Sequence, residues 1–171
     1  MNKKVAIIDP LGSHGSSHHF YLFGQLAGLS DNKVDVRLYT NSETENPSIN
    51  GVRCYHTFSN LFSSKLKVII AIKYVLGCIR SVIHARFSRV KIFHFNIFYT
   101  NILVLFNLFF VKLLFGKIVL TIHDVTSFAK QNKSSFTSIL VYRLADLILT
   151  HNQYSKDEVI KIDPLLNESI H

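Results

Sequence analysis

Three polar runs, each directly after an apolar strand-like run, hold the residues that could do chemistry. His123-Asp124 follows Lys117 to Ile122. A neutral imidazole there can hydrogen-bond a sugar hydroxyl, and the adjacent carboxylate can orient a ring nitrogen or accept from a hydroxyl. The same pair could simply cap the next turn. Pro10-Leu-Gly-Ser-His-Gly-Ser-Ser-His-His19 follows Val5 to Asp9. Gly12 and Gly15 permit a tight turn, Ser16 or Ser17 can cap a following helix, and backbone amides at a helix N-terminus suit a phosphate or pyrophosphate. The run matches neither G-x-G-x-x-G nor G-x-x-x-x-G-K-S/T, and a plain structural turn explains it equally well. Thr150-His151-Asn152-Gln153 follows Asp146 to Thr150, and there an N-cap cluster is the competing explanation.

Other chemistries fit less well. Among the nine histidines, His14, His18, His19 and His123, with Asp124, are possible ligands, but neither an H-x-x-x-H nor an H-E-x-x-H spacing is read among them, so no metal is expected. Ser-His-Asp hydrolysis lacks a G-x-S-x-G elbow, and Ser13 and Ser16 follow the first strand rather than a central one. Cys54 and Cys78 have no paired spacing, which fits a reducing, cytoplasmic compartment better than a disulfide framework. The start, Met1-Asn-Lys-Lys, runs straight into a strand too short for a signal-peptide core.

The elements that must position these residues are legible as apolar runs alternating with helix-length amphipathic stretches. Strands are expected at Val5–Asp9, Lys33–Tyr39, Val52–Thr57, Lys91–Asn96, Lys117–Ile122 and Asp146–Thr150. Helices are expected at Ser17–Leu29, Leu61 to about Ala85, Tyr99–Phe115 stopped by Gly116, Ser134–Leu144, and Ser155–Lys161 closed by Asp163-Pro164. Strands apolar on both faces and alternating with helices indicate an α/β, doubly wound, mainly parallel sheet. Ligands of such sheets bind at the carboxyl ends of the strands, where the three polar runs fall. With no internal repeat or Pro/Gly-rich linker, 1–171 reads as one Rossmann-like domain.

The 171 residues are 48% apolar and 18% charged, enough for a real core and against disorder. The formal net charge of +8 is segregated. Between Asn46 and His123 there are ten basic residues (Arg53, Lys65, Lys67, Lys73, Arg80, Arg86, Arg89, Lys91, Lys112, Lys117) and no carboxylate. Such a field attracts a polyanion. Lys65, Lys73 and Arg80 would share a helical stripe among aliphatic residues, with Arg86 farther along, which points to peripheral contact with an anionic membrane. A solvated basic face is the bland alternative. No RNP-like motif, zinc-finger spacing or Arg-rich arm supports nucleic acid as partner. Ile92 to Val111 is twenty residues without a formal charge, about the 20 that a membrane span needs. His94, Asn96, Asn101 and Asn107 would be expensive in hydrocarbon, so the run is assigned to a strand and a helix.

Val5 to Leu29, the strand Val90-Lys-Ile-Phe-His-Phe95, the block Gly116-Lys-Ile-Val-Leu-Thr-Ile-His-Asp124 and the block Ala145-Asp-Leu-Ile-Leu-Thr-His-Asn152 with Ser155-Lys156, in this order, resemble the N-terminal half of a GT-B glycosyltransferase. The retaining family 4 enzymes are the most similar. The resemblance implies that the chain binds the acceptor of a sugar transfer, the glycan or lipid-linked product of polysaccharide or glycolipid synthesis. A C-terminal Rossmann domain, in cis or in trans, would hold the nucleotide sugar. It implies roles for Gly12, Ser13, His14, Gly15 and Ser16 near the donor diphosphate or acceptor and for His123 against the transferred sugar. Asp124 would support that loop, no metal would be needed, and His18, His151 and Asn152 would line the cleft. Gly12-Ser-His-Gly15 replaces the Gly-Gly pair common in the family's first loop. The alternative is a non-catalytic Rossmann-like module of a split transferase, contributing membrane anchoring or partner binding.

Overall fold

Each apolar run becomes an element of the computed structural model, which describes residues 3–14, 18–123 and 136–171. In chain order these are β1 (Lys4–Asp9), α1 (His18–Asp31), β2 (Asp35–Asn41), β3 (Val52–Phe58), α2 (Lys67–Phe87), β4 (Ile92–Ile97), α3 (Ile102–Leu113), β5 (Lys117–Ile122), α4 (Phe136–Arg143), β6 (Leu147–Thr150) and α5 (Gln153–Ile162). The strands form a six-stranded parallel sheet in the order β3-β2-β1-β4-β5-β6, the doubly wound α/β fold. Two compact units, Met1–Phe93 and His94–His171, divide the chain within β4.

In the first unit, parallel register sets Val36 opposite Val5 and Leu38 opposite Ile7. On that face they form a cluster with Leu22 and Leu26, one turn apart on α1. The opposite face carries Tyr39, whose ring stacks on Tyr55 at 5.2 Å and whose hydroxyl lies 2.9 Å from Nδ1 of His84 on α2. Burial pushes the Tyr39 phenol up to about 12 and lowers the His84 imidazole. The packed side of α2 is Gly77, Cys78, Ser81, Val82 and Ala85. Ser81 Oγ donates to Gly77 O and lies 2.6 Å from Thr57 Oγ1.

The uncharged run from Ile92 to Val111 divides into a strand and a helix, and in the second unit Asn101 caps α3 by accepting from Val104 N. The C-terminus of α3 departs from expectation. Its left-handed residue is Phe115 (φ 57°), one before Gly116, whose amide returns to Val111 O at 2.9 Å. Asp146, in the Ala-Asp-Leu-Ile block, has a structural task. Its carboxylate accepts from Ile118 N at 2.7 Å and Lys112 Nζ at 2.6 Å, locking the starts of β5 and β6 together. Beyond α5, Asp163 accepts from Arg143 Nε and Leu165 N, and Arg143 holds its carboxyl below the usual carboxylate range. Residues 170 and 171 pair in parallel with β6.

The helix expected from Leu61 begins only at Lys67, because Leu66 is extended (φ −84°, ψ 114°) and its amide bonds to Ser64 Oγ. Lys65 therefore lies off the helix.

A Cβ on Gly77 would sit 2.3 Å from the ring of the fully buried Phe58. Gly77→Ala gains about 1 kcal/mol of helix propensity but forces that ring aside, an overpacking loss of about 1–3 kcal/mol. We expect a lower urea midpoint for the variant; an equal or higher one would show that α2 is not held by this close contact.

Candidate functional site

Two clusters lie at the carboxyl ends of strands, one in each unit. In the first unit β1 ends at the buried Asp9, and the chain turns through a single 3-10 turn, Gly12–His14. Gly12 has φ +50°, and a Cβ there would meet Thr44 Oγ1 at 1.8 Å and Asn41 Nδ2 and Thr40 Oγ1 at 2.7 Å. Glycine is therefore required on both conformational and steric grounds. Its amide donates to Asp9 Oδ2, and Ser13 N donates to Thr44 Oγ1, both at 3.2 Å. Ser13 Oγ donates to Glu43 O. The expected anion cradle thus has its first two amides engaged by side chains of the chain itself.

The residue organising this turn is Asn41, at the end of β2. Its Nδ2 donates to Pro10 O and Leu11 O, while Oδ1 accepts from Glu43 N and Thr44 Oγ1. Asn41 falls two residues beyond the strand expected at Lys33–Tyr39, and no role was expected of Asp9, Thr40 or Thr44. The usable signal was a buried acid at a strand end followed three residues later by glycine. Gly15 and Ser16 lie outside the described residues, as do the side chains of His14 and His18. His14 and His18 are nevertheless four residues apart, an H-x-x-x-H spacing. Among the described residues no group of three His, Cys, Asp or Glu could hold a metal ion.

In the second unit the ends of β4, β5 and β6 bring Phe98, His123 and His151 together. His123 N donates to Ile97 O at 3.0 Å, extending the sheet by one bond. The His123 ring stacks on Phe98 with centroids 4.4 Å apart and planes 14° from parallel. His151 Nε2 lies 3.0 Å from His123 Nδ1. That bond needs one N–H and one lone pair across it, so two rings share one proton along it. Stacking and the shared proton fix the orientation of both rings. Asp124 lies outside the described residues. Asn152 has the capping role: its side chain accepts from Ser155 N at 2.8 Å and opens α5. Behind this cluster is a buried polar pair, His94 Nε2 and Thr121 Oγ1, 2.8 Å apart. Burial lowers the His94 imidazole to about 4.

Of the three cations expected on one stripe, Lys65 lies off α2 and Lys73 Nζ donates to Asn60 O and Ser63 Oγ; Arg86, farther along, donates to Val90 O. Arg80 remains exposed on the helix.

No protein-family model and no curated protein matches the chain. Solved structures do. A putative UDP-N-acetylglucosamine 2-epimerase from Listeria monocytogenes superposes with TM-score 0.63 at 8% identity, over 99% of this chain and 44% of that one. Sucrose-phosphate synthase from Thermosynechococcus elongatus gives 0.57 at 11% identity, over 93% and 44%. MurG from Acinetobacter baumannii gives 0.56 at 10%, over 88% and 41%. The chain spans less than half the length of these proteins. At such identities the likeness concerns the fold, and that fold is the Rossmann-like half of a GT-B-type architecture.

Asn41→Leu removes four hydrogen bonds and leaves buried partners unsatisfied, so we expect a loss of about 1–3 kcal/mol in denaturant unfolding together with faster amide exchange at Ser13; unchanged exchange would mean that Asn41 does not organise the turn. His94 binds its proton more weakly folded than unfolded, so the unfolded state takes up more protons between about 6.5 and 4. Stability therefore falls as pH drops through that window, by about 2 kcal/mol at pH 5 relative to neutrality. His94→Gln should lose this part of the pH dependence in unfolding curves, and an identical slope would discount the buried imidazole.

Proposed function

We propose that the protein is the acceptor-side half of a cytoplasmic glycosyltransferase, of the retaining family 4 kind, that passes a sugar from a nucleotide sugar to a glycan or lipid-linked acceptor. The Phe98–His123–His151 cluster carries this reading. It sits at the carboxyl ends of parallel strands, where ligands of such sheets bind. It brings two oriented imidazole rings and an aromatic ring together, with His151 exposed, and imidazoles pair with hydroxyls while aromatic rings pack against sugars. His123 contacts the transferred sugar, with Asp124 supporting it and His151 coupling its own tautomer to that of His123. Gly12, Ser13, His14, Gly15 and Ser16 are assigned to the phosphate or acceptor. The donor domain comes in cis or in trans; the nucleotide sugar is a co-substrate, and no metal or further cofactor takes part. The GT-B-type fold and the order of the sequence blocks support this reading.

The test is incubation of the protein at its native length, with whatever partner co-purifies, with radiolabelled nucleotide sugars and a membrane-lipid extract. We expect transfer of label into a glycan or lipid, lowered about 10- to 100-fold by His123→Ala, as for a lost hydrogen bond to the reacting sugar. Transfer untouched by His123→Ala would remove the histidine from the reaction. Conversion of the sugar nucleotide to its epimer without transfer would replace this reading with that of an isomerase.

A further inference from the structure

The helix α2 turns outward a side that a helix packed on a sheet ordinarily hides. Its packed side is small and narrow (Gly77, Cys78, Ser81, Val82, Ala85), and the opposite side carries Ile69, Ile72, Leu76, Ile83 and Phe87. These five are spaced by three, four and seven residues, with Arg80 in the turn between Leu76 and Ile83, and lie in a stripe about 180° from the packed side at 100° per residue. Val68, Ile72 and Phe87 are 71%, 54% and 86% exposed. Cations flank the stripe: Arg80 within it, Lys65 and Lys67 at its N-terminal end, Arg89 and Lys91 beyond its C-terminal end. The entire segment holds no carboxylate.

We propose that α2 is a membrane-surface helix, lying in the plane of an anionic phospholipid leaflet with this stripe at the headgroup–acyl boundary and the flanking cations among lipid phosphates. Charge decides between occupants. A second copy of the chain could match the apolar stripe, but it would set Arg80, Lys65 and Lys67 against the same cations with no carboxylate of the segment to offset them. An anionic leaflet matches both features. Orientation follows from packing. By length and composition α2 could cross a membrane. Gly77 and Ser81, however, are fastened to Phe58 and Thr57 of β3, so one side of the helix belongs to the sheet and the helix lies along a leaflet rather than across it. The cations that act are not all those suggested by spacing alone, since Lys73 and Arg86 are tied to backbone oxygens. This proposal does not depend on sugar transfer.

The experiment is co-sedimentation of the protein with phosphatidylcholine vesicles, with or without phosphatidylglycerol, and extraction of the bound protein with alkaline carbonate. Binding should need the anionic lipid, weaken with salt and be fully extractable. Ile72→Gln/Leu76→Gln should weaken it at least about tenfold without moving the urea midpoint, because both side chains are exposed. Arg80→Glu should give a similar loss confined to anionic vesicles. Equal binding with and without phosphatidylglycerol, an unaffected double variant or resistance to carbonate would each overturn the proposal. So would a dimer in sedimentation velocity that the double variant dissolves while vesicles go unbound.

Discussion

The contact between Gly77 and the ring of Phe58 decides how the first unit presents itself. A helix with aliphatic residues around most of its circumference can dock on a sheet in several rotations, and hydrophobicity alone does not select one. Close approach does. Only the side carrying Gly77, Ser81 and Ala85 is slim enough to bring the backbone of α2 against Phe58, where it buries a fully enclosed aromatic ring. Once that rotation is set, the larger side chains face away. The exposed apolar stripe is thus a consequence of how the core is closed.

The architecture was largely readable from the sequence because β-strands apolar on both faces leave a strong signature. β5 begins and ends where expected, and the uncharged run from Ile92 divides into strand and helix as its polar residues suggest. Errors arose where backbone detail overrides pattern. Helix α2 starts later than its apolar periodicity because Leu66 is held extended by Ser64. Helix α3 ends on a left-handed Phe115 that no propensity scale would nominate. The division of the chain within β4 has no linker to announce it.

The candidate site was legible as places more than as roles. His123 and His151, 28 residues apart, were singled out separately, and only the parallel alignment of β5 and β6 makes them partners. Phe98 escaped notice because a lone aromatic after a strand carries no signal until a ring lies on it. Asn152 shows the converse, since its position beside a histidine suggested binding while its side chain opens α5. Asp146 likewise belongs to a recognisable sequence block because it ties two strands together.

The 3.0 Å bond between His151 Nε2 and His123 Nδ1 can take its proton from either ring. When that proton resides on His123 Nδ1, the far nitrogen of the same neutral ring is a lone pair; when it moves to His151, that nitrogen must carry a hydrogen to stay neutral. Moving that proton from one ring to the other, with exchange at the far nitrogens, thus inverts the far nitrogen of His123 from acceptor to donor and that of His151 from donor to acceptor. The tautomers of the two neutral rings are therefore coupled, and neither ring can exchange its donor for its acceptor while the other stays as it was.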